Sequence, residues 1–225
     1  MYRDGRIMKD TTIIETRARN FGSPPRSVMA GEWAELAHAA WKIARPRALI
    51  RRAGVEARGD DTVTLSGHVF TSRLLRCNVG RSRRVFAYAA TCGEELASWA
   101  AAFDDPLDRY WADQFCEKAL WSAVEIMNRR LARIVRPQPL AHMSPGSLPD
   151  WPLEQQRPLF ELLGGSPLPI GVALTDSLLM VPVKSVSGIA FPSKDGFSSC
   201  RLCPREGCPG RRVPFEPSSM GHTET

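Results

Sequence analysis

The residues with the clearest capacity for chemistry are Cys200, Cys203 and Cys208, which form CRLCPREGC near the end of the chain. Thiolates at C-x2-C spacing can share one tetrahedral metal, and Cys208, four residues past Cys203, can reach the same ion. Such spacings serve zinc or an iron–sulfur cluster. Three ligands leave one vacancy, for which Cys77, Cys92, Cys116, His222 or an exogenous ligand qualifies. Reduced cysteines without metal are the third reading, since the fourth cysteine of a full motif is absent. Other reactive patterns are missing. His38, His68, His142 and His222 fit no HExxH spacing, and the chain has no G-x-G-x-x-G after a strand, no Walker loop and no G-x-S-x-G elbow.

Three further segments stand out in combination. They are His142-Met143-Ser144-Pro145-Gly146-Ser147, then Trp151-Pro152-Leu153-Glu154-Gln155-Gln156, then Leu174-Thr175-x-Ser177-x-x-Met180-x-Pro182-x-x-Ser185-Val186-Ser187-Gly188. Together with the passage Phe86 to Leu96 they resemble the activation domain of cobalamin-dependent methionine synthase, in particular the small stand-alone activation-region proteins. Those carry an R-x-S-P-G-Y turn, a W-P-L-E-x-Q helix start and an L-T-x-S-x-x-M-x-P-x-x-S-V-S-G strand pair. The resemblance spans roughly residues 80–191.

What the resemblance implies is the reactivation of a corrinoid-dependent methyltransferase by reductive methylation. S-adenosylmethionine would be held against cobalamin carried by a partner, with electrons from a flavodoxin or ferredoxin. The sulfonium already activates its methyl group, so the protein contributes positioning rather than an acid or base. By the same resemblance His142, Ser144, Pro145, Gly146 and Ser147 of the turn, with Ser185, Val186, Ser187 and Gly188, would line the cofactor groove. Two positions depart from the family pattern. His142 stands where the family has the arginine that grips the methionyl carboxylate, and Ser147 stands where it has tyrosine; a protonated imidazole could serve as the anchor, a neutral one poorly. The alternatives are a non-catalytic module docking on a cobalamin-binding protein, and a metal-cluster electron-transfer or regulatory protein built on the tail cysteines.

The elements that must position these residues follow from periodicity. Trp33, Leu36, Ala37, Ala40, Trp41 and Ala44 recur at helical spacing over 32–45, until Pro46. A strand is expected over 62–70 with a turn at Ser66-Gly67, and a buried strand over 84–90. Thr91 and Glu94 read as a capping box opening a helix over 94–103. Asp105 caps and Pro106 begins a long helix over 107–135. Asp150-Trp151-Pro152 starts a short helix ending at Gly164-Gly165, with a kink expected at Pro158. The runs 170–174 and 178–184 read as a hairpin or two neighbouring strands, and both are expected in the main sheet with 62–70 and 84–90. Helices between non-alternating strands predict an α+β fold: a twisted, mainly antiparallel sheet packed by helices, with a weakly ordered arm (1–30), a domain (31–191) and a Cys-containing tail (192–225).

Composition sets the frame. With 225 residues, 43% hydrophobic and 24% charged, the chain can bury a core without disulfides. Cys77, Cys92 and Cys116 lie in apolar sequence and read as small core residues. The net charge of +6 sits in short clusters, Arg45/Arg47/Arg51/Arg52, Arg81/Arg83/Arg84, Arg129/Arg130/Arg133 and Arg211/Arg212. They interleave with no stacking aromatics, so a solvated basic surface is expected and no nucleic-acid partner. No apolar run approaches the roughly 20 residues of a membrane span, and the start MYRDGRIMKD has no signal-peptide core, so a cytoplasmic location without a membrane partner is expected.

Overall fold

The computed structural model describes residues 10–16, 30–194, 196–208 and 211–216. In chain order the elements are β1 (Thr11–Glu15), α1 (Ala30–Ile43), β2 (Arg47–Arg58), β3 (Thr62–Leu65), β4 (His68–Thr71) and α2 (Arg73–Val79). There follow β5 (Arg84–Thr91), α3 (Glu94–Ala101), α4 (Pro106–Val135) and β6 (Leu140–Met143). The last are α5 (Gln156–Leu163), β7 (Ala173–Leu174), β8 (Met180–Val181) and β9 (Ser185–Pro192). Seven strands form one antiparallel sheet in the order β4-β3-β2-β5-β9-β6, with β1 paired to the N-terminal half of β2. The fold is therefore α+β, as the periodicity predicts.

Helices cover both faces of this sheet, which explains the unbroken apolar run of β5. Phe86, Tyr88 and Ala90 face α1, α3 and α4 together with Ala48 and Ile50 of β2. Val85, Ala87 and Ala89 face the other way, into a second core with Leu159, Phe160 and Leu163 of α5 and Leu75 of α2. Period-two alternation thus sends neighbouring residues of one strand into different cores.

The helix starts show what the local sequence does. Asp105 Oδ1 accepts from the backbone N–H of Leu107 at 2.8 Å and of Asp108 at 3.0 Å, with Pro106 in the first turn where its missing N–H is harmless. The expected capping box at Thr91 is not made. Thr91 is the last residue of β5, Gly93 precedes the helix, and the Thr91 hydroxyl instead accepts from the Gly93 N–H at 3.2 Å. Pro158 falls in the first turn of α5, where a proline needs no kink.

Three other expectations change. The span 62–70 is two strands, because Ser66-Gly67 folds β3 back on β4 as a hairpin. The runs 170–174 and 178–184 contribute only the two-residue strands β7 and β8, which pair with each other outside the main sheet. The main-sheet strand is the Ser185–Pro192 segment, bonded to β5 on one side and β6 on the other. Within 1–30, Thr11–Glu15 forms a strand; residues 1–9 and 17–29 lie outside the described residues. No helix among the described residues is long and apolar enough to cross a membrane.

Candidate functional site

The turn 142–147 hangs from the end of β6 and is held by three local features. Gly146 adopts φ +78°, a left-handed conformation that costs glycine little, and its N–H donates to the Trp151 carbonyl at 2.7 Å. The Ser147 hydroxyl donates to the Ser144 carbonyl at 2.6 Å. Gly188 of β9 lies beneath: a side chain there would press on the Met143 carbonyl, with Ser144 Oγ at 2.7 Å and the Tyr88 hydroxyl at 2.8 Å from its first carbon. The missing Cβ is what lets β6 and its turn settle onto β9 and brings Ser144 within hydrogen-bonding reach of Tyr88.

The W-P-L-E-Q-Q segment is a bolt rather than a lining. Trp151 is fully buried edge-on to Phe70, with ring centroids 6.2 Å apart. Asp150 Oδ2 accepts from the Leu74 N–H at 3.0 Å and from the Ser72 hydroxyl, and Gln155 Oε1 accepts from the Thr71 N–H at 3.0 Å. The segment ties the turn to β4 and α2.

A cavity of about 410 Å³ opens beside the turn. His142, Ser144 and Ser147 line it from the turn, Val186 from β9, and Tyr88 from β5. Trp121, Val124, Met127 and Asn128 form its α4 wall. The tail closes the remaining side with Phe197, Ser198, Ser199, Cys200, Arg212 and Val213. Of the predicted groove residues, His142, Ser144, Ser147 and Val186 therefore come together, Gly188 lies under the turn, and Pro145 is buried behind it.

Ser185 and Ser187 turn away. Ser185 Oγ donates to the Pro182 carbonyl at 2.7 Å and is 3.0 Å from Thr91 Oγ1, while Ser187 Oγ donates to Gln156 Oε1 at 2.8 Å. The strand period that points Val186 at the cavity points its neighbours at α5 and the β5 end. Lys184 is occupied too, pairing with Asp113 at 2.8 Å and Glu117 at 3.8 Å.

Electrostatics separates the polar groups of the cavity. Burial, reinforced by the Arg212 guanidinium, pushes the His142 imidazole down to about 4, so it is neutral at pH 7. Its ring meets Tyr88 edge-on at 5.4 Å. The protonated imidazole that could have replaced the turn arginine is thus disfavoured where it stands. Burial also raises the Tyr88 phenol, which stays a neutral hydrogen-bonding group.

The tail cysteines do not converge. Among the described residues no group of three or more His, Cys, Asp or Glu side chains is placed to hold a metal ion. The loop carrying Cys200, Cys203 and Cys208 is held instead by Arg211, whose guanidinium donates to the carbonyls of Cys200 at 3.0 Å, Cys203 at 3.1 Å, and Arg205. Of the other thiols, Cys92 and Cys116 are buried, as expected for core residues, and Cys77 is half-buried.

Periodicity did not point to Tyr88, Asn128, Phe197 or Arg212 as site residues, because each joins the cavity through tertiary packing. The one signal in the sequence was Trp121, a large apolar residue off the buried stripe of α4 and 45% exposed.

No family model and no curated protein matches the sequence. Among solved structures the fold is similar to the crystal structure of the MetH reactivation domain bound to AdoHcy. The TM-score is 0.58 at 19% identity, covering 84% of this chain and 80% of that one. At that identity the likeness is one of fold.

Proposed function

We propose that this chain is an auxiliary protein for the reactivation of a corrinoid-dependent methyltransferase, holding S-adenosylmethionine in the cavity between β6, β9, α4 and the tail. The observation that carries the reading is convergence. The turn residues His142, Ser144 and Ser147, with Val186, line one cavity in a fold similar to a reactivation domain whose solved structure holds AdoHcy. A cavity of about 410 Å³ lies within the usual range for small-molecule sites, and its mix of apolar wall and few polar groups is the usual make-up of one.

The chemistry asks only for positioning. A flavodoxin- or ferredoxin-type protein supplies one electron to the partner's cob(II)alamin, and the methyl group passes from sulfur to the reduced cobalt, leaving S-adenosylhomocysteine. The cavity's part is to fix the sulfonium end and leave its methyl facing the partner. Isothermal titration with S-adenosylhomocysteine, followed by a reductive methylation assay with a cob(II)alamin-loaded partner, tests both halves. Absence of binding by folded protein at millimolar ligand sinks the reading.

A second reading is favoured by the neutral His142: a non-catalytic module that docks on the cobalamin protein without taking the sulfonium ligand. Partner binding without ligand binding in the same experiment selects it.

A further inference from the structure

Cys92 and Cys116 lie outside the cavity and take no part in the proposed function, yet the fold brings them together across the whole of α3. Cys92 follows the last residue of β5, and Cys116 sits in the first half of α4. Their side chains are hydrogen-bonded to each other. Both thiols also face the start of α3, Cys92 Sγ donating to the Gly93 carbonyl at 3.4 Å and Cys116 Sγ to the Leu96 carbonyl at 3.6 Å. Each has a single proton to share among these partners, so the two sulfurs compete for the same small set of bonds.

The setting is not that of a thiol in an apolar core. Both residues are buried, Cys116 keeping 3% exposure. The groups around the sulfurs are polar. The Thr91 hydroxyl bonds to Cys92. The Lys184 carbonyl accepts from the Cys92 N–H at 3.0 Å, and the Lys184 amine pairs at 2.8 Å with Asp113, one turn before Cys116 on α4. Lys184 therefore straps the pair from the surface side, and both charges of its ion pair act on Cys116. The contact also separates the two thiols. Their mutual hydrogen bond holds Cys92 below the ordinary thiol value and pushes Cys116 above it, so Cys92 is the one that supplies a thiolate.

We infer that Cys92 and Cys116 are a disulfide-forming pair, closed by hydrogen peroxide into a reversible bond between the β5–α3 turn and α4. The Cys92 thiolate attacks one peroxide oxygen, the O–O bond breaks and hydroxide leaves, which makes a sulfenic acid. Cys116 then attacks that sulfur, the S–S bond forms and the sulfenic oxygen departs as water. Two thiols and one peroxide thus give one disulfide and two waters, with two electrons passing from sulfur to oxygen. Closing the bond draws sulfurs already in contact to about 2.05 Å. Peroxide is small enough to enter beside Lys184, where a bulkier alkylating reagent is not. The bond encloses α3 in a covalent loop and fixes α4 about a turn and a half before Trp121, where its cavity wall begins.

The full chain is treated with hydrogen peroxide, quenched with catalase, alkylated in urea and digested with trypsin without reduction. Arg109 lies between the two cysteines, so trypsin places them on separate peptides. The expected product is a linked pair carrying Cys92 and Cys116, lighter by two hydrogens than the two peptides together and released by dithiothreitol. The thermal midpoint of the oxidised protein should rise by roughly 5–10 °C and return on reduction. Combining Cys77→Ser, Cys200→Ser, Cys203→Ser and Cys208→Ser should preserve both results, and Cys116→Ala should abolish both; if the combined variant does not fold, the wild-type peptide map decides. Recovery of Cys92 and Cys116 as alkylated thiols after the tail cysteines have oxidised overturns the inference. So does a link that forms only in urea that unfolds the chain, or an equal midpoint shift in Cys116→Ala.

Discussion

Ser187 Oγ donates a 2.8 Å hydrogen bond to Gln156 Oε1, and both side chains are buried where β9 passes α5. The bond joins two of the motif segments that carry the family resemblance, and it does so on the side of the sheet away from the cavity. Replacing Ser187 with alanine orphans the Gln156 acceptor and is expected to cost about 1–3 kcal/mol. Urea denaturation reads that loss, and titration with S-adenosylhomocysteine should show unchanged affinity. Lost affinity at unchanged stability would place this hydroxyl in the site.

Gly188 is the close-approach point for β6 and its turn. Alanine there drives a methyl group against the Met143 carbonyl, Ser144 Oγ and the Tyr88 hydroxyl, with backbone on one side and a bonded pair on the other. Overpacking of this kind costs about 1–3 kcal/mol. Gly188→Ala should lower the denaturation midpoint and also weaken ligand binding, because the displaced turn carries His142, Ser144 and Ser147. A variant unchanged in both would show that the turn does not rest on β9.

His142 gives the fold an acid-side weakness. Its folded value lies near 4 against 6.5 for an unperturbed imidazole, lowered by burial and then by Arg212. Between those values the unfolded chain binds the proton and the folded chain does not, so stability falls as pH drops through 6.5 and the loss levels off near 4. The groups facing the ring are Tyr88 from β5 and Arg212 from the tail. Denaturation midpoints at pH 7 and pH 4.5 should differ more for the wild type than for His142→Phe, which keeps an aromatic edge for Tyr88 and cannot protonate. Equal pH dependence in the two proteins would contradict a buried neutral imidazole.

The parts of the fold legible in the sequence are those whose own period declares them. The buried stripe of α4, its Asp105-Pro106 start and the two-faced run of β5 need no tertiary knowledge. β2 was hidden because Arg47, Arg51, Arg52 and Arg58 interrupt its apolar residues and read as solvated charge. In the folded protein Arg47 pairs with Glu15 and Glu95, Arg52 pairs with Asp10 at 2.7 Å, and Arg58 donates to the Gly80 carbonyl at 2.7 Å. Those partners lie far along the chain, so no local pattern reveals them. The site divides in the same way. The turn is visible as a motif, whereas Asn128 and Arg212 become site residues only when α4 and the tail close around it.

Cys200 gives a direct reading of that closure. Cys200 is among the residues that line the cavity, and its thiol is drawn below its ordinary value, first by the Arg212 backbone N–H and also by the Ser198 side chain and the Val213 N–H. A thiolate stabilised by backbone donors at a cavity mouth reacts ahead of thiols sealed in the core, such as Cys92 and Cys116. At pH 7.5 iodoacetamide should therefore modify Cys200 before either of them, as read by peptide mass spectrometry. Bound S-adenosylhomocysteine should slow the reaction at Cys200 several-fold without protecting the other tail cysteines to the same degree. Replacing Arg211 with alanine removes the guanidinium from the carbonyls of Cys200, Cys203 and Arg205, so the Arg212 and Val213 N–H groups lose their register on the sulfur. In that variant Cys200 should react more slowly, ligand protection should weaken, and trypsin should cut the tail sooner. Cys200 reactivity unmoved by both ligand and Arg211→Ala would mean that the tail does not form the wall of the site.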